Sequence, residues 1–162
     1  MSNEIVWSPP EEIVKNSKLT KFLKFCKLSD YDELEKKSYA DPGWLWDNVI
    51  KFSELKFYQS YEKIMDDSKG APWTKWCVGG KTNIVLNCID RHKEKKFFSE
   101  TFIFAEKEDG TKSSITYEEF NKQISKVGNA LKINGFQKGD VIALYMPQFI
   151  ETYIAYFAIL KI

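Results

Sequence analysis

Gly79-Gly80-Lys81-Thr82 is the stretch whose residue types come nearest to phosphate chemistry, because a Gly-Lys-Thr run closes the loops that grip nucleotide phosphates. Such a loop curls several successive backbone N–H groups around the phosphates with no Cβ in the way. It therefore needs another glycine five positions before the one that precedes the lysine. That position is Lys75. Nucleotide binding at this run is not expected, and the glycines need another explanation.

The other reactive side chains are read in the same way. His92 is the lone histidine, on one face of an apolar helix with no neighbouring Ser or Cys and orienting carboxylate, so a hydrogen-bonded core or subdomain contact is expected. Asp90 and Arg91 read as solvated or as a structural ion pair. Glu11–Glu12, Asp66–Asp67 and Glu118–Glu119 are adjacent in sequence and do not converge on a substrate unaided, so they read as helix-cap or loop charges. Lys93, Lys95 and Lys96 read as a solvated helix end. No catalytic, cofactor-binding or metal-ligating residue is assigned.

Composition bounds the rest. The chain has 162 residues, 43% of them hydrophobic and 15% aromatic, enough for a folded core. Its 24 basic and 23 acidic residues leave a net charge of +1, with no single-sign field to draw nucleic acid or an anionic membrane. Arg91 is the only arginine, which counts further against nucleic-acid recognition. Cys26, Cys77 and Cys88 lack C-x-x-C spacing and read as free thiols in a reducing, cytoplasmic setting. The N-terminus has no basic region followed by a long apolar run, and no stretch reaches the roughly 18 apolar residues of a membrane span.

These residues need elements to hold them. The first third reads as helical, with Ser8 capping at SPPEE and Glu11 in the reciprocal position. Leu19, Phe22, Leu23 and Cys26 have helical spacing. Ser29 or Asp30 caps a short helix through Glu33 and Leu34, and Asp41 caps a helix in which Leu45, Val49 and Phe52 share a face flanked by Trp44 and Trp46. Residues 66–82 read as an irregular loop. Asn83 then caps a buried helix with Ile84, Leu86, Cys88, Ile89 and His92 as its apolar stripe.

From residue 100 the pattern becomes α/β. TFIFAE and SSIT read as strands joined at Gly110, and Thr116 with Glu119 forms a capping box stapled by Ile115 and Phe120. Phe120, Ile124, Val127 and Leu131 continue that helix until Gly135. VIALYM, residues 141–146, reads as an interior parallel strand, and Pro147 as the start of a helix hydrophobic nearly all round. Such a helix must be covered, so the chain is expected either to be cut inside a larger domain or to meet another subunit.

Three stretches together resemble the acyl-adenylate-forming enzymes, specifically the acetyl-CoA synthetase-like acyl-CoA synthetases of the AMP-binding superfamily. They are Trp76-Cys77-Val78-Gly79-Gly80-Lys81-Thr82-Asn83 leading to Asp90-Arg91-His92, then ITYEEFNKQISKVGNALKINGFQKGD, then VIALYMPQFIETYIAYFAILKI. EIVWSPPEEIVKNSKLTKFLKF and SYADPGWLWDNVI are similar to the N-terminal extension of that branch. The resemblance implies a helix-rich extension over residues 1–98, followed over 99–162 by the beginning of the large AMP-binding domain, truncated after its first strand-helix-strand-helix units. In that setting the glycine pair is structural: it turns the loop and brings Asn83 to the helix start, with Trp73 and Trp76 pinning the loop to the core.

Enzymes of this family use ATP and Mg²⁺ to convert a carboxylic acid to an acyl-adenylate, and the thiol of CoA then displaces AMP. The chemistry needs donors that neutralise phosphate charge and a lysine at the adenylate. The family's Ser/Thr/Gly-rich loop ending in Pro-Lys-Gly, its aromatic-Gly-x-Thr-Glu motif, its ribose-binding aspartate and its C-terminal-domain lysine are all missing from this sequence. The expected reading is an N-terminal piece of such a ligase, inactive by itself. The alternative is a stand-alone binding or oligomerisation module that associates through its apolar last helix.

Overall fold

The computed structural model describes residues 6–162. They form two compact units. One holds the chain up to Leu55 together with Ser60–Gly80; the other holds Lys56–Gln59 and Lys81–Ile162.

The first unit contains α1 (Glu11–Asn16), α2 (Lys18–Cys26), α3 (Tyr31–Ala40) and α4 (Pro42–Phe52), then strands β1 (Lys63–Asp66) and β2 (Lys75–Val78). Side-chain caps set three of the helix starts: Ser17 accepts from the Thr20 N–H, Asp30 from Glu33 and Asp41 from Trp44. The expected cap at Ser8 does not form. Pro10 occupies that position and brings no side-chain hydrogen bond. The proline has no polar side chain to offer, and the short helix α1 buries nothing.

Phe22 and Leu34 are the buried side chains of this unit. Phe52 meets Phe22 edge-on at 5.2 Å and tilts against Phe25 at 5.5 Å. Residues 66–82, expected to be irregular, instead contribute β2 and the end of β1, paired antiparallel with Met65 opposite Trp76 and Asp66 opposite Lys75. Gly43 on α4 lies where a Cβ would come within 3.3 Å of Ile64, so the missing side chain lets β1 approach the helix.

The second unit has the deeper core. Asn83 caps α5 (Ile84–Cys88) by accepting from the Val85 N–H, and a short 3₁₀ turn over Asp90–His92 follows. Of the expected stripe Ile89 is buried and Leu86, Cys88 and His92 are half-buried, whereas Ile84 is exposed and Val85 takes the inward place beside it. The helix is only 5 residues long and passes into 3₁₀ geometry at Asp90–His92.

Strands β3 (Thr101–Glu106) and β4 (Lys112–Thr116) pair antiparallel, turning at Gly110 with φ +80°. Helix α6 (Tyr117–Ile133) starts from the capping box read in the sequence: the Glu119 N–H donates to Thr116 Oγ1 at 3.1 Å, and the Thr116 N–H donates to Glu119 Oε2 at 3.4 Å. It buries Phe120 and Ile124. Gly135 follows with φ +91°.

Two expectations for the last quarter are corrected. Residues 141–146 carry no strand: the sheets are β1–β2 and β3–β4, and neither extends to this run. An apolar run becomes a strand only when a neighbour supplies its ladder, and among the described residues none does. Pro147 does not open the last helix either. Its carbonyl accepts from the Phe149 N–H, and α7 (Ile150–Lys161) begins three residues later. Ala158 of α7 is buried against α6 at Gly128, where an added Cβ would meet the Ala158 carbonyl at 3.6 Å.

Candidate functional site

The Gly-Gly-Lys-Thr run was the one sequence feature with phosphate-binding residue types, and its hydrogen bonds decide what it does. The Gly80 N–H donates to the Cys77 carbonyl at 2.8 Å, and the Lys81 N–H donates to the Gln59 carbonyl at 2.9 Å. Lys81's own carbonyl accepts from the Tyr58 N–H at 2.8 Å. Thr82 Oγ1 donates to the Lys56 carbonyl at 2.7 Å and accepts from Asn87 Nδ2 at 2.9 Å. The Gly80 and Lys81 amides, two of those a phosphate would need, are spent on protein carbonyls, which argues against a phosphate grip at this run. Gly79 takes φ +77°, a conformation that glycine adopts without strain.

Asn83 uses both ends of its amide. Oδ1 accepts from the Val85 N–H at 2.8 Å, and Nδ2 donates to the Leu160 carbonyl at 2.6 Å, near the C-terminus of α7. One side chain thus satisfies an orphan donor at the start of α5 and an orphan acceptor at the end of α7. The expected pinning of the loop by tryptophan is not found. Trp73 is 70% exposed, and Trp76, also exposed, touches Trp46 edge-on at 6.0 Å. Trp76 lies on β2 and Trp73 on a 3₁₀ turn over Ala71–Trp73 just before it, within the stretch that was expected to be a loop.

Asp90 pairs with neither Arg91 nor a substrate-like group. Its Oδ1 lies 2.7 Å from Lys93 Nζ and 3.2 Å from Lys161 Nζ, and Lys161 also reaches Asn121 Oδ1 at 3.3 Å. Burial pushes the Asp90 carboxyl up, but the two lysines outweigh it and hold the group below its ordinary value. The partner 71 residues away had no local signal in the sequence. Lys93, read as a solvated helix end, is one arm of this bridge.

His92 is half-buried, as expected for a structural histidine. Its Nε2 accepts from Arg91 Nε at 3.1 Å, and its ring rests 5.2 Å from Phe97 and 6.4 Å from Tyr117. Burial lowers its pKa, and the charges of Arg91 and Lys95 lower it further, while a hydrogen bond with the Asn87 backbone acts the other way. An imidazole that accepts from a guanidinium is neutral and has no free lone pair to act as a base.

The carboxylate pairs keep their structural roles. Glu11 and Glu12 lie in the first turn of α1, Glu118 and Glu119 in that of α6, and Asp66 Oδ1 accepts from Lys63. In the first unit Asp47 accepts from Lys51 and Tyr61. Burial raises its carboxyl, but these two donors hold it below the usual range. Burial, together with the contact to Asp47, pushes the Tyr61 phenol up to about 12. Burial also raises the Cys26 and Cys77 thiols, which makes them poor nucleophiles.

An open groove of about 1250 Å³ runs between the β3–β4 hairpin and residues 147–154. Its charged lining is Glu106, Glu108, Asp109, Glu119 and Glu151 against the single Lys107, a field that repels a polyphosphate. Among the described residues no cluster of three or more His, Cys, Asp or Glu could hold a metal ion, and no helix is long and apolar enough to cross a membrane.

Comparison with known proteins supplies what the geometry does not. Residues 31–88 match the family described as acetyl-coenzyme A synthetase N-terminus, and residues 89–162 match the AMP-binding enzyme family. Acetyl-coenzyme A synthetase of Chlorobaculum tepidum is 30% identical over 162 residues, covering 100% of this chain and 23% of that protein. The Methanothrix soehngenii acetyl-coenzyme A synthetase is 32% identical, over 97% of this chain and 24% of the relative. The fold is shared with acetoacetyl-CoA synthetase from Streptomyces lividans at a TM-score of 0.84 and 18% identity, over 95% of this chain and 24% of that one. The chain spans about a quarter of the length of the relatives it matches. With two adjoining matches running from residue 31 to residue 162 in the order the sequence predicts, the chain belongs to the acetyl-CoA synthetase-like acyl-CoA synthetases of the AMP-binding family.

Proposed function

We propose that this chain is the N-terminal scaffold of an AMP-forming acyl-CoA synthetase, contributing structure to an active site whose chemistry is carried elsewhere. The whole enzyme would bind ATP, Mg²⁺ and CoA and act on a carboxylic acid. Residues 1–98 would form the helix-rich extension and residues 99–162 the opening of the AMP-binding domain, working in the cytoplasm with its three thiols free. The observation that carries this reading is the use of the Gly80 and Lys81 backbone and the Thr82 hydroxyl by protein partners, set within a chain that matches the family from residue 31 to residue 162. The Gly80 and Lys81 amides and the Thr82 hydroxyl are engaged in holding the fold.

The test is ATP–pyrophosphate exchange by the purified 162-residue chain across a panel of short carboxylic acids. No exchange is expected, and measurable exchange overturns the proposal. Reading the coding sequence past Ile162 adds a second arm, in which a Ser/Thr/Gly-rich loop ending in Pro-Lys-Gly is expected. A second reading, a module that self-associates through α7, is favoured by Tyr153 and Tyr156, which stand exposed on that helix. Light scattering separates the two, since the module requires an oligomer that Tyr156→Lys dissolves.

A further inference from the structure

Helix α7 is apolar on nearly every side: Ile150, Ile154 and Phe157 follow one line along it, and Tyr153, Tyr156 and Leu160 another. Apolar packing has no direction, so turning or sliding such a helix exchanges one apolar contact for another at little cost. Its bed on α6 supplies no key. The buried Ala158 carries one methyl and Gly128 beside it none, while Phe157 meets Phe120 edge-on at 5.3 Å, inside the roughly 4.5–7 Å over which ring pairs attract. Directional contacts sit at the C-terminal turn instead. Asn83 Nδ2 donates to the Leu160 carbonyl at 2.6 Å, and Lys161 Nζ donates to Asp90 Oδ1 at 3.2 Å and to Asn121 Oδ1 on α6 at 3.3 Å. The Thr152 hydroxyl, at the other end, bonds only back to the Pro147 carbonyl. Asn83 and Asp90 bracket α5, whose Val85 and the following Ile89 are buried in the core, so both are mounted on a firm part of the unit.

We propose that Asn83 and Asp90 act together as the register lock of α7, selecting one seating of a helix whose apolar surface selects none. A shift of one residue moves the helix about 1.5 Å along its axis and turns it by about 100°. That shift takes the Leu160 carbonyl off Asn83 and Lys161 off Asp90, leaving half-buried polar groups without their partners. Either contact alone still penalises the shift, whereas loss of both removes the penalty. Partly buried polar pairs serve register in this way even where they add little to stability. The lock gives a role to the Asn83 to His92 stretch, which carries family resemblance but no reactive group, and it is independent of the proposed ligase role.

A double-variant comparison on the full chain tests it, with methyl spectra of Ala155 and Ala158 and amide exchange at Ile159–Ile162 as readouts. Asn83→Ser keeps the cap on α5 and loses the donor to Leu160; Lys161→Met keeps the apolar stem and loses the charge. Each alone should leave one set of α7 methyl signals and speed exchange by about threefold. Together they should split or broaden those signals and speed exchange by roughly thirtyfold or more, well beyond the product of the singles, while the Phe120 and Ile124 amides of α6 stay protected. A double variant that keeps one sharp set of α7 signals, with exchange equal to that product, overturns the proposal. So does one that loses α6 protection as well, because the two contacts would then hold up the core and not merely choose the seating of α7.

Discussion

The two units differ in what holds them together. In the second, Phe120, Ile89 and Ile124 are at 0% exposure and pack with Val85 and Ala158 into one continuous core. In the first, the best-buried side chains are Phe22 at 8% and Leu34 at 7%, and order comes from successive caps at Ser17, Asp30 and Asp41 and from the Phe22–Phe25–Phe52 cluster. Burial scales with the apolar area removed from water, whereas each cap contributes only about 1 kcal/mol. The second unit should therefore respond most to truncation of its core, and the first should be soft everywhere.

Substitutions can break that contrast, and the largest effect is expected at Phe120. Phe120→Ala removes a fully buried ring facing Phe102 and Phe157 and should cost about 3–5 kcal/mol, read as loss of α6 amide protection in urea. Phe22→Ala should cost less, about 2–3 kcal/mol, because its cavity opens towards solvent. All five tryptophans lie in the first unit, so their fluorescence should follow this second variant. Equal costs at the two sites would remove the distinction between the units.

Asn83→Ala sharpens the contrast within the second unit. It deletes the cap on Val85 and the donor to Leu160 together, and about 1–2 kcal/mol is expected in chemical denaturation. Asn83→Ser should recover the cap alone, so about half of the loss should persist. A complete rescue by serine would show that the Leu160 contact contributes nothing.

The smallest effect concerns pH. His92 has a lowered pKa in the fold, so between the ordinary value of 6.5 and its folded value the unfolded chain binds more protons. Stability is then fully present above that ordinary value and falls as pH drops through the window. Thermal melts from about pH 7.5 down to about pH 5 should show a decline that His92→Gln flattens, since no other histidine titrates there. A variant melting profile parallel to that of the unaltered chain would assign the decline to other groups.

What could be read from the sequence follows the range of the interaction. Asp30, Asp41, Asn83 and the Thr116–Glu119 box act within three residues, and each was legible because local chemistry alone decides it. Gly110 and Gly135 declared their turns for the same reason. Strands are different. The β1–β2 pair was hidden because β2 and the end of β1 fall in a stretch punctuated by Gly, Pro and Ser, and residues 141–146 read as a strand although nothing among the described residues pairs with them. A strand's existence depends on its neighbour.

The candidate site divides along the same line. The failed glycine spacing at Lys75 was visible in the letters alone. The partners that occupy that loop, Gln59 and Lys56, lie more than twenty residues away, as Lys161 lies far from Asp90, and spacing carries no record of them. Family resemblance covered that gap for the fold but supplies no reactive residue within this chain.

The central claim is that the Gly79–Thr82 backbone is structural. Titration of the ¹⁵N-labelled chain with MgATP, followed at the Gly80 and Lys81 amides, tests it most directly. No saturable shift at either amide is predicted, and both should exchange slowly with solvent because each is bonded to a carbonyl. A saturable displacement of these two resonances by MgATP, reversed on removing the nucleotide, would contradict it.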